Sequence, residues 1–460
     1  MLKLWVRKRI EISPRELLRG MVECLSFENR ERSLDRIEAR WGRGKTFTCL
    51  SVRSGFDLLL STLNWPAGSE VLMSGLTIPD MPRIVEEHGM VPVGVDIDID
   101  DLSMTAESIR RKITPQTRAI VVAHLFGGLA NMDAVMEVAR EHNLLVVEDC
   151  AQAYIGGSYG GDKRADISMF SFGAIKTNTA LTGAVFVVRR EELLARLSHA
   201  HQKWPMQTRV AYFKRLSKYL LVKTISTKWI AGAIAFGLGA LGKDHDRLAV
   251  KLSRGFSGGD FFFKIRHQPP VPMLRMMERK FARFDEQQIR DRTELGVELE
   301  NSLRKVVDIP GCKLTRPTFW VFAVLVDDRD NFVRHLWKNG FDATTSCSMK
   351  PVAPDSYAPD AVDSGTKSGI DGTDQLPASE ASDIGAFECE VVDSEKSQAD
   401  LMNARFILEQ IVFLPFDLAM PKSEVIRMAR VINEFRPTRV KLPNRTTRKL
   451  SSVAKPTENN

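Results

Sequence analysis

Lys176 stands in the run Ser171-Phe172-Gly173-Ala174-Ile175-Lys176-Thr177, and an acid, Asp149, stands in Glu148-Asp149-Cys150-Ala151-Gln152. Each follows a short apolar run, so each belongs near the end of a strand. A primary amine condenses with an aldehyde, and a carboxylate beside a ring nitrogen keeps that nitrogen protonated. Together they point to an aldehyde-bearing pyridine, pyridoxal phosphate. Each residue also has an ordinary reading. A lysine past a strand is commonly just solvated, and an aspartate there commonly caps the next helix. Burying Asp149 after the apolar run 144–147 would be costly without a cation, and Lys176 is the cation on offer.

A phosphate also needs a cradle. Ser54-Gly55-Phe56-Asp57 opens a stretch continuing through Leu58, Leu59, Leu60 and Leu63, which reads as a helix entrance. Backbone amides at a helix start bind anions, and glycine lets them approach closely. Ser-Gly is equally an ordinary cap. Ser171 offers a second hydroxyl for the phosphate. The glycine run Gly156-Gly157-Ser158-Tyr159-Gly160-Gly161 reads as a hairpin turn in preference to a second phosphate loop.

These residues must be held by a scaffold, and its pattern is visible from about 45 to 190. Apolar runs at 70–73, 91–95, 119–123, 144–147, 167–170 and 184–188 read as strands, and stretches between them, such as 132–141, have helical spacing. That alternation predicts an α/β fold, a mostly parallel sheet with helices on both faces. Ligands then sit at the carboxyl ends of the strands. Further on, 277–303 reads as one long amphipathic helix, 318–326 as a strand, 330–338 as a helix closed by Gly340, 411–414 as a strand and 423–434 as a helix. These compose a smaller α+β unit. The expected organisation is an N-terminal segment 1–40, a large cofactor-binding domain 41–200, a basic apolar segment 201–270, a small domain 271–440 and a flexible tail 441–460. The acidic stretch 353–400, rich in Ser, Asp, Gly and Ala, reads as a disordered surface loop within the small domain.

At 460 residues, 43% hydrophobic and 27% charged, the chain has the composition of a globular protein of more than one domain. Six cysteines with no C-x-x-C pair and no zinc spacing argue against a disulfide framework or a structural metal, and fit a reducing cytoplasm. The basic N-terminus lacks an apolar run and cleavage site, so no signal peptide is expected. The net charge of +7 comes without aromatic nucleic-acid motifs, zinc knuckles or a helix-turn-helix cue, so a basic surface is expected and no nucleic-acid partner. In 204–242 the uncharged run after Lys228 is about fourteen residues, short of the roughly 20 that span a bilayer. Lys203, Arg209, Lys214, Arg215, Lys218, Lys223 and Lys228 alternate there with Trp204, Tyr212, Phe213, Tyr219 and Trp229. Two readings stand: peripheral contact with a membrane at its inner face, or an apolar segment buried in a dimer interface or against the large domain.

The order Ser54-Gly55, Gly68-Ser69-Glu70-Val71, Pro92-Val93-Gly94-Val95-Asp96, His124-Leu125-Phe126-Gly127, Glu148-Asp149-Cys150-Ala151-Gln152-Ala153, Ser171-Phe172 and Lys176 resembles the DegT/StrS sugar aminotransferases. The resemblance implies fold type I, with an aspartate-aminotransferase-like three-layer large domain and a smaller α+β C-terminal domain. It implies a homodimer and transfer of an amino group, commonly from glutamate, onto a nucleotide-linked keto-sugar for polysaccharide or glycan biosynthesis. In that reading Lys176 joins the cofactor and moves the proton. Asp149 pairs with the ring nitrogen, Gln152 contacts the ring or its hydroxyl, and Ser54, Gly55, Phe56 and Ser171 hold the phosphate. Related deoxysugar dehydratases carry His in place of the lysine, so the lysine favours transamination over dehydration. The chain departs from the family pattern in two places. Ile78 follows Thr77 where an aromatic residue commonly covers the ring. In 271–276 Arg275 matches the partner-subunit segment, whereas Met273 replaces its asparagine. Arg275 and Arg53 are candidates for a substrate carboxylate. The departures keep a second class open, a non-catalytic scaffold at a membrane-bound glycan assembly.

Overall fold

The computed structural model describes residues 4–6, 10–26, 28–157, 159–225, 260–345, 347–352 and 401–443. The acidic stretch 353–400, the apolar part of 204–242 beyond 225, and the tail from 444 lie outside the described residues.

The strands are β1 (Thr46–Cys49), β2 (Glu70–Ser74), β3 (Leu76–Thr77), β4 (Val91–Val95), β5 (Thr117–Ala123), β6 (Leu145–Asp149), β7 (Ile167–Ser171), β8 (Ala184–Val188), β9 (Phe322–Leu325), β10 (Lys350–Pro351) and β11 (Ile411–Leu414). The helices are α1 (Pro14–Glu23), α2 (Arg30–Trp41), α3 (Val52–Leu63), α4 (Asp80–Glu87), α5 (Ala106–Arg110), α6 (Asp133–Glu141), α7 (Glu191–Gln202), α8 (Arg209–Ile225), α9 (Phe261–Ile265), α10 (Val271–Ala282), α11 (Gln287–Leu303), α12 (Arg329–Lys338), α13 (Met402–Gln410) and α14 (Lys422–Phe435). Seven strands form one sheet in the order β1-β8-β7-β6-β5-β2-β4. It is parallel from β7 to β4, and β8 runs against both β7 and β1. Strand β5 shows why both faces are covered. Ile120 and Val122 enter one apolar cluster, Ala119 and Val121 the other. Alternate residues of a strand point to opposite faces, so a run without polar interruption needs helices on each side.

Four sequence expectations change. Strand β1 is an additional edge strand whose four residues are all buried. The helix expected over 277–303 is broken after Ala282 and restarts at Gln287. Asp285 Oδ1 takes the Gln287 N–H at 2.9 Å, a bond that draws the backbone out of a continuous helix. The strand expected over 318–326 is regular only at 322–325, because Phe319 has a φ of 45° and turns the chain. The glycine run at 156–161 is no hairpin, since it lies in the connection between the parallel strands β6 and β7. Nor is the Gly157 amide open to a phosphate, since it gives its N–H to Glu286 Oε1 at 2.8 Å.

Packing also places the boundary between units later than 271. Met273, Leu274, Met276, Met277 and Phe281 of α10 share a core with Leu17 of α1, Ile37 of α2 and Tyr212 of α8. The smaller unit has its own core of Leu299, Phe322, Phe332, Val412 and Met428, closed by Trp5 from the far end of the chain. Its strands β9 and β11 pair antiparallel.

Candidate active site

Because β2, β5, β6 and β7 are parallel, their carboxyl ends share one edge. Asp149 ends β6, opposite Ala123 and Met169, and Ser171 ends β7. Lys176 follows in a turn, its backbone N–H bonded to Gly173 O at 3.0 Å. Ile78, half-buried between the two sheet cores, comes just past β3 on the same edge.

Asp149 Oδ1 accepts the Ala151 N–H at 2.9 Å. Burial pushes this carboxyl up from its ordinary range; the Ala151 N–H, Lys176, His124 and Arg53 pull against that. A cation set against Asp149 therefore lowers the cost of its charge, which suits a protonated ring nitrogen. Gln152 accepts the Phe126 N–H on Oε1 at 2.9 Å, and its Nε2 lies 3.9 Å from Met349 Sδ. Ser171 Oγ accepts the Gly173 N–H at 3.4 Å.

The helix entrance is shifted from the expected position. Ser51 is the N-cap of α3, its Oγ accepting the Ser54 N–H at 3.1 Å and lying 2.8 Å from Ser54 Oγ. Gly55 N–H bonds back to Ser51 O at 3.0 Å. The amides with no carbonyl one turn behind them are those of Val52 and Arg53, and these are what the helix offers an anion. Ser54 and Phe56 are wholly buried. A Cβ on Gly55 would come within 2.3 Å of the Phe186 ring and 2.8 Å of Cys49 Sγ, so that glycine seats α3 on β8. Asp57 belongs to a separate cluster, held by His88 at 3.0 Å and by two 2.9 Å bonds from Arg266. Arg53, at the helix mouth, pairs with Asp80.

Arg275 is not brought to this edge. Its Nη1 bonds Ser26 Oγ at 3.2 Å and pairs with Glu28, which fastens α10 to the loop after α1. Met273 is fully buried in the same core. Trp320, unmarked by any sequence motif, is at the site: Lys176 Nζ lies 4.4 Å from its ring centroid. Only the fold makes that contact visible.

Behind Asp149 lies a buried polar network. Glu148 accepts from His124 Nε2 at 2.8 Å, the Asp162 N–H at 2.9 Å, Ser168 Oγ at 2.5 Å and Tyr159. Burial alone would raise its carboxyl; the side-chain donors overcome it and hold the group at about 2. Cys150 lies close enough to His124 and Glu148 for the three to hold an ion. However, His124 Nδ1 already accepts the Ala130 N–H at 3.0 Å and Glu148 already has four donors, so the lone pairs a metal would need are committed.

The donor set at the edge suits pyridoxal phosphate: one amine, one half-buried carboxylate, two helix-start amides, a guanidinium and a serine hydroxyl.

Residues 35–211 match the model of the DegT/DnrJ/EryC1/StrS aminotransferase family. The chain is 38% identical over 149 residues to L-glutamine:2-deoxy-scyllo-inosose aminotransferase of Streptomyces fradiae, which covers 32% of this chain and 35% of that protein. It is 35% identical over 152 residues to GDP-perosamine synthase of Caulobacter vibrioides, covering 32% of this chain and 41% of that one. The matched stretches thus span well under half of these relatives. The fold extends further. The aminotransferase TlmJ of Streptoalloteichus hindustanus superposes with a TM-score of 0.62 at 18% identity, over 94% of this chain and 98% of that one. Helicobacter pylori PseC, an aminotransferase involved in the biosynthesis of pseudoaminic acid, does so with a TM-score of 0.62 at 15% identity, over 94% and 99%. Residues 35–211, the segment carrying Lys176 and Asp149, are thus similar to the DegT/DnrJ/EryC1/StrS aminotransferase family.

Proposed function

We propose that the chain is a pyridoxal-phosphate-dependent aminotransferase that moves an amino group from glutamate onto a nucleotide-linked keto-sugar. The observation that carries this is the placement of Asp149 at the end of β6 and of Lys176 just past β7, on the carboxyl edge of the sheet. The names of the matched relatives, an inosose aminotransferase and GDP-perosamine synthases, support a sugar-like acceptor.

When bound, pyridoxal phosphate supplies an aldehyde for the amine and a ring that accepts electrons as a substrate C–H proton leaves. Lys176 Nζ would be the amine that joins the aldehyde and, as a free amine, would take that proton and return it. Asp149 would keep the ring nitrogen protonated. The Val52 and Arg53 amides, the Arg53 guanidinium and Ser171 Oγ hold the phosphate, while Ser54, Gly55 and Phe56 support the helix from behind. Gln152 would contact the bound ring or its hydroxyl, and Ile78 would cover the ring as an apolar contact.

The test is spectroscopic. Protein mixed with pyridoxal phosphate is expected to gain a visible absorbance band that bleaches on adding glutamate, and Lys176→Ala abolishes the band. A wild-type protein that stays colourless sinks the reading and leaves the scaffold. Bleaching by glutamine instead reassigns the donor. Loss of a hydroxyl from the sugar without amino transfer identifies a dehydratase.

A homodimer in the cytoplasm completes the reading, with peripheral membrane contact as its finer part. Val210, Phe213 and Leu221 of α8 are exposed beside Lys214, while Tyr212, Leu216 and Tyr219 pack on the large unit. Among the described residues no helix is long and apolar enough to cross a membrane. Cosedimentation with anionic liposomes at low salt decides the contact.

A further inference from the structure

We infer that Trp320 is a positioning residue for Lys176, holding the lysine's ammonium against its ring face and pinning the backbone that carries it. This rests on the aminotransferase reading for its meaning, although the geometry stands by itself. Two contacts reach the same short segment. The ring lies 4.4 Å from Lys176 Nζ, and the indole N–H donates to Ile175 O at 3.0 Å. A cation over an indole face is attracted by the ring quadrupole, most strongly where water is excluded. Trp320 is 7% exposed.

The loop that presents Trp320 is braced on both sides. Thr318 gives its N–H and its hydroxyl to Gly127 O, at 2.8 and 2.7 Å. Gly127 has a φ of +97°, and a Cβ there would come within 2.5 Å of Trp320 N, so the loops fit only around a glycine. From below, Arg292, 4% exposed, gives Nε to Thr318 O at 2.7 Å and reaches Thr177 Oγ1 with Nη2 at 3.4 Å. One guanidinium therefore touches the residue after Lys176 and the loop before Trp320. The turn at Phe319 sends neighbouring rings opposite ways. Phe319 stacks on Phe322 at 5.5 Å within the small unit, and Trp320 projects onto the lysine of the large one.

The attraction acts on Lys176 as a cation, hence on the forms of the enzyme in which the lysine is not joined to the cofactor. Without the ring the four-carbon stem gains freedom, and both cofactor capture and proton return slow.

The test uses the full chain freed of cofactor, as wild type, Trp320→Phe and Trp320→Leu. Phenylalanine keeps a ring face and loses the indole N–H; leucine keeps apolar cover and loses both. Acylation of Lys176 by a small amine reagent, mapped by peptide mass, is expected to speed up about two- to fivefold in W320L and less in W320F. Lys422, exposed on another element, serves as the internal reference and keeps its rate. Equal Lys176 rates in all three proteins, or a parallel rise at Lys422, overturn the inference. On adding pyridoxal phosphate, W320L is expected to gain absorbance several-fold more slowly than wild type, and W320F to recover part of that rate. A wild type that never gains the band fails the aminotransferase reading, while the acylation contrast, measured without cofactor, still decides the role of Trp320.

Discussion

Glu148 and Asp149 are sequence neighbours with opposite environments, because consecutive residues of β6 face opposite sides of the sheet. Asp149 meets burial with one N–H and distant cations, so its carboxyl is raised. Burial acts on Glu148 too, but His124, Ser168 and Tyr159 outweigh it and hold the carboxyl at about 2. The sign of the resulting pH dependence follows. A carboxyl lowered by folding contributes stability that is complete above its unfolded range near 4.5 and is lost as pH falls toward 2. Glu148→Gln is expected to cost about 3 kcal/mol at pH 7 and to lose less on acidification than wild type. Urea midpoints at pH 7 and pH 3 measure this; parallel losses in both proteins contradict it. One residue thereby anchors β5, β7 and the loop at 159–162 behind the site, and its neighbour is left to face a ligand.

Helix α3 shows how an element can be found and its details misplaced. Both Ser51 and Ser54 suit a helix start, and they differ by three positions, so they share one helix face and the sequence alone does not rank them. Burial does: Gly55 is packed under Phe186, not set beside an anion. Gly55→Ala is expected to destabilise by about 1–3 kcal/mol through overpacking, measured as a lower denaturation midpoint. Ser51→Ala would instead act on the cap. The inner strands were legible because parallel strands buried on both faces are unbroken apolar runs. Strand β1 was not, since Thr46 and Thr48 disguise a fully buried edge. The amphipathic pattern crossed the gap between α10 and α11 because Phe281 and Phe284 both face the same core, while Asp285 ends the backbone ladder locally. The strand-end placement of Lys176, Asp149 and Ser171 was legible from the apolar runs before them, whereas Gln152 was singled out only through the family resemblance. Trp320 was not: its bond to Ile175 joins residues 145 positions apart.

The two units meet through a shared apolar cluster, where Ala323, Leu325 and Ile411 join Leu72, Val95 and Ile120, and through polar contacts besides. Arg292 of α11 reaches Glu11 at 3.3 Å as well as Thr177, and Trp5 closes the small core, its indole N–H on Glu424 at 3.1 Å. Trp5 also bonds through its backbone, to Gly340 O and from the Asp342 N–H, both at 2.9 Å. Trp5→Ala is expected to cost about 3–5 kcal/mol, concentrated in the small unit. Hydrogen exchange would locate the loss in β9 and β11; equal loosening of β5 and β6 would contradict it. Trp5 has a further consequence, one of order in time. Large-sheet strands lie within 46–188 and can pair as the ribosome delivers them, whereas Trp5 is made before them and finds Glu424 only after them. Until the helix carrying Glu424 is made, that indole is without its pocket, a task for chaperones at the tunnel exit.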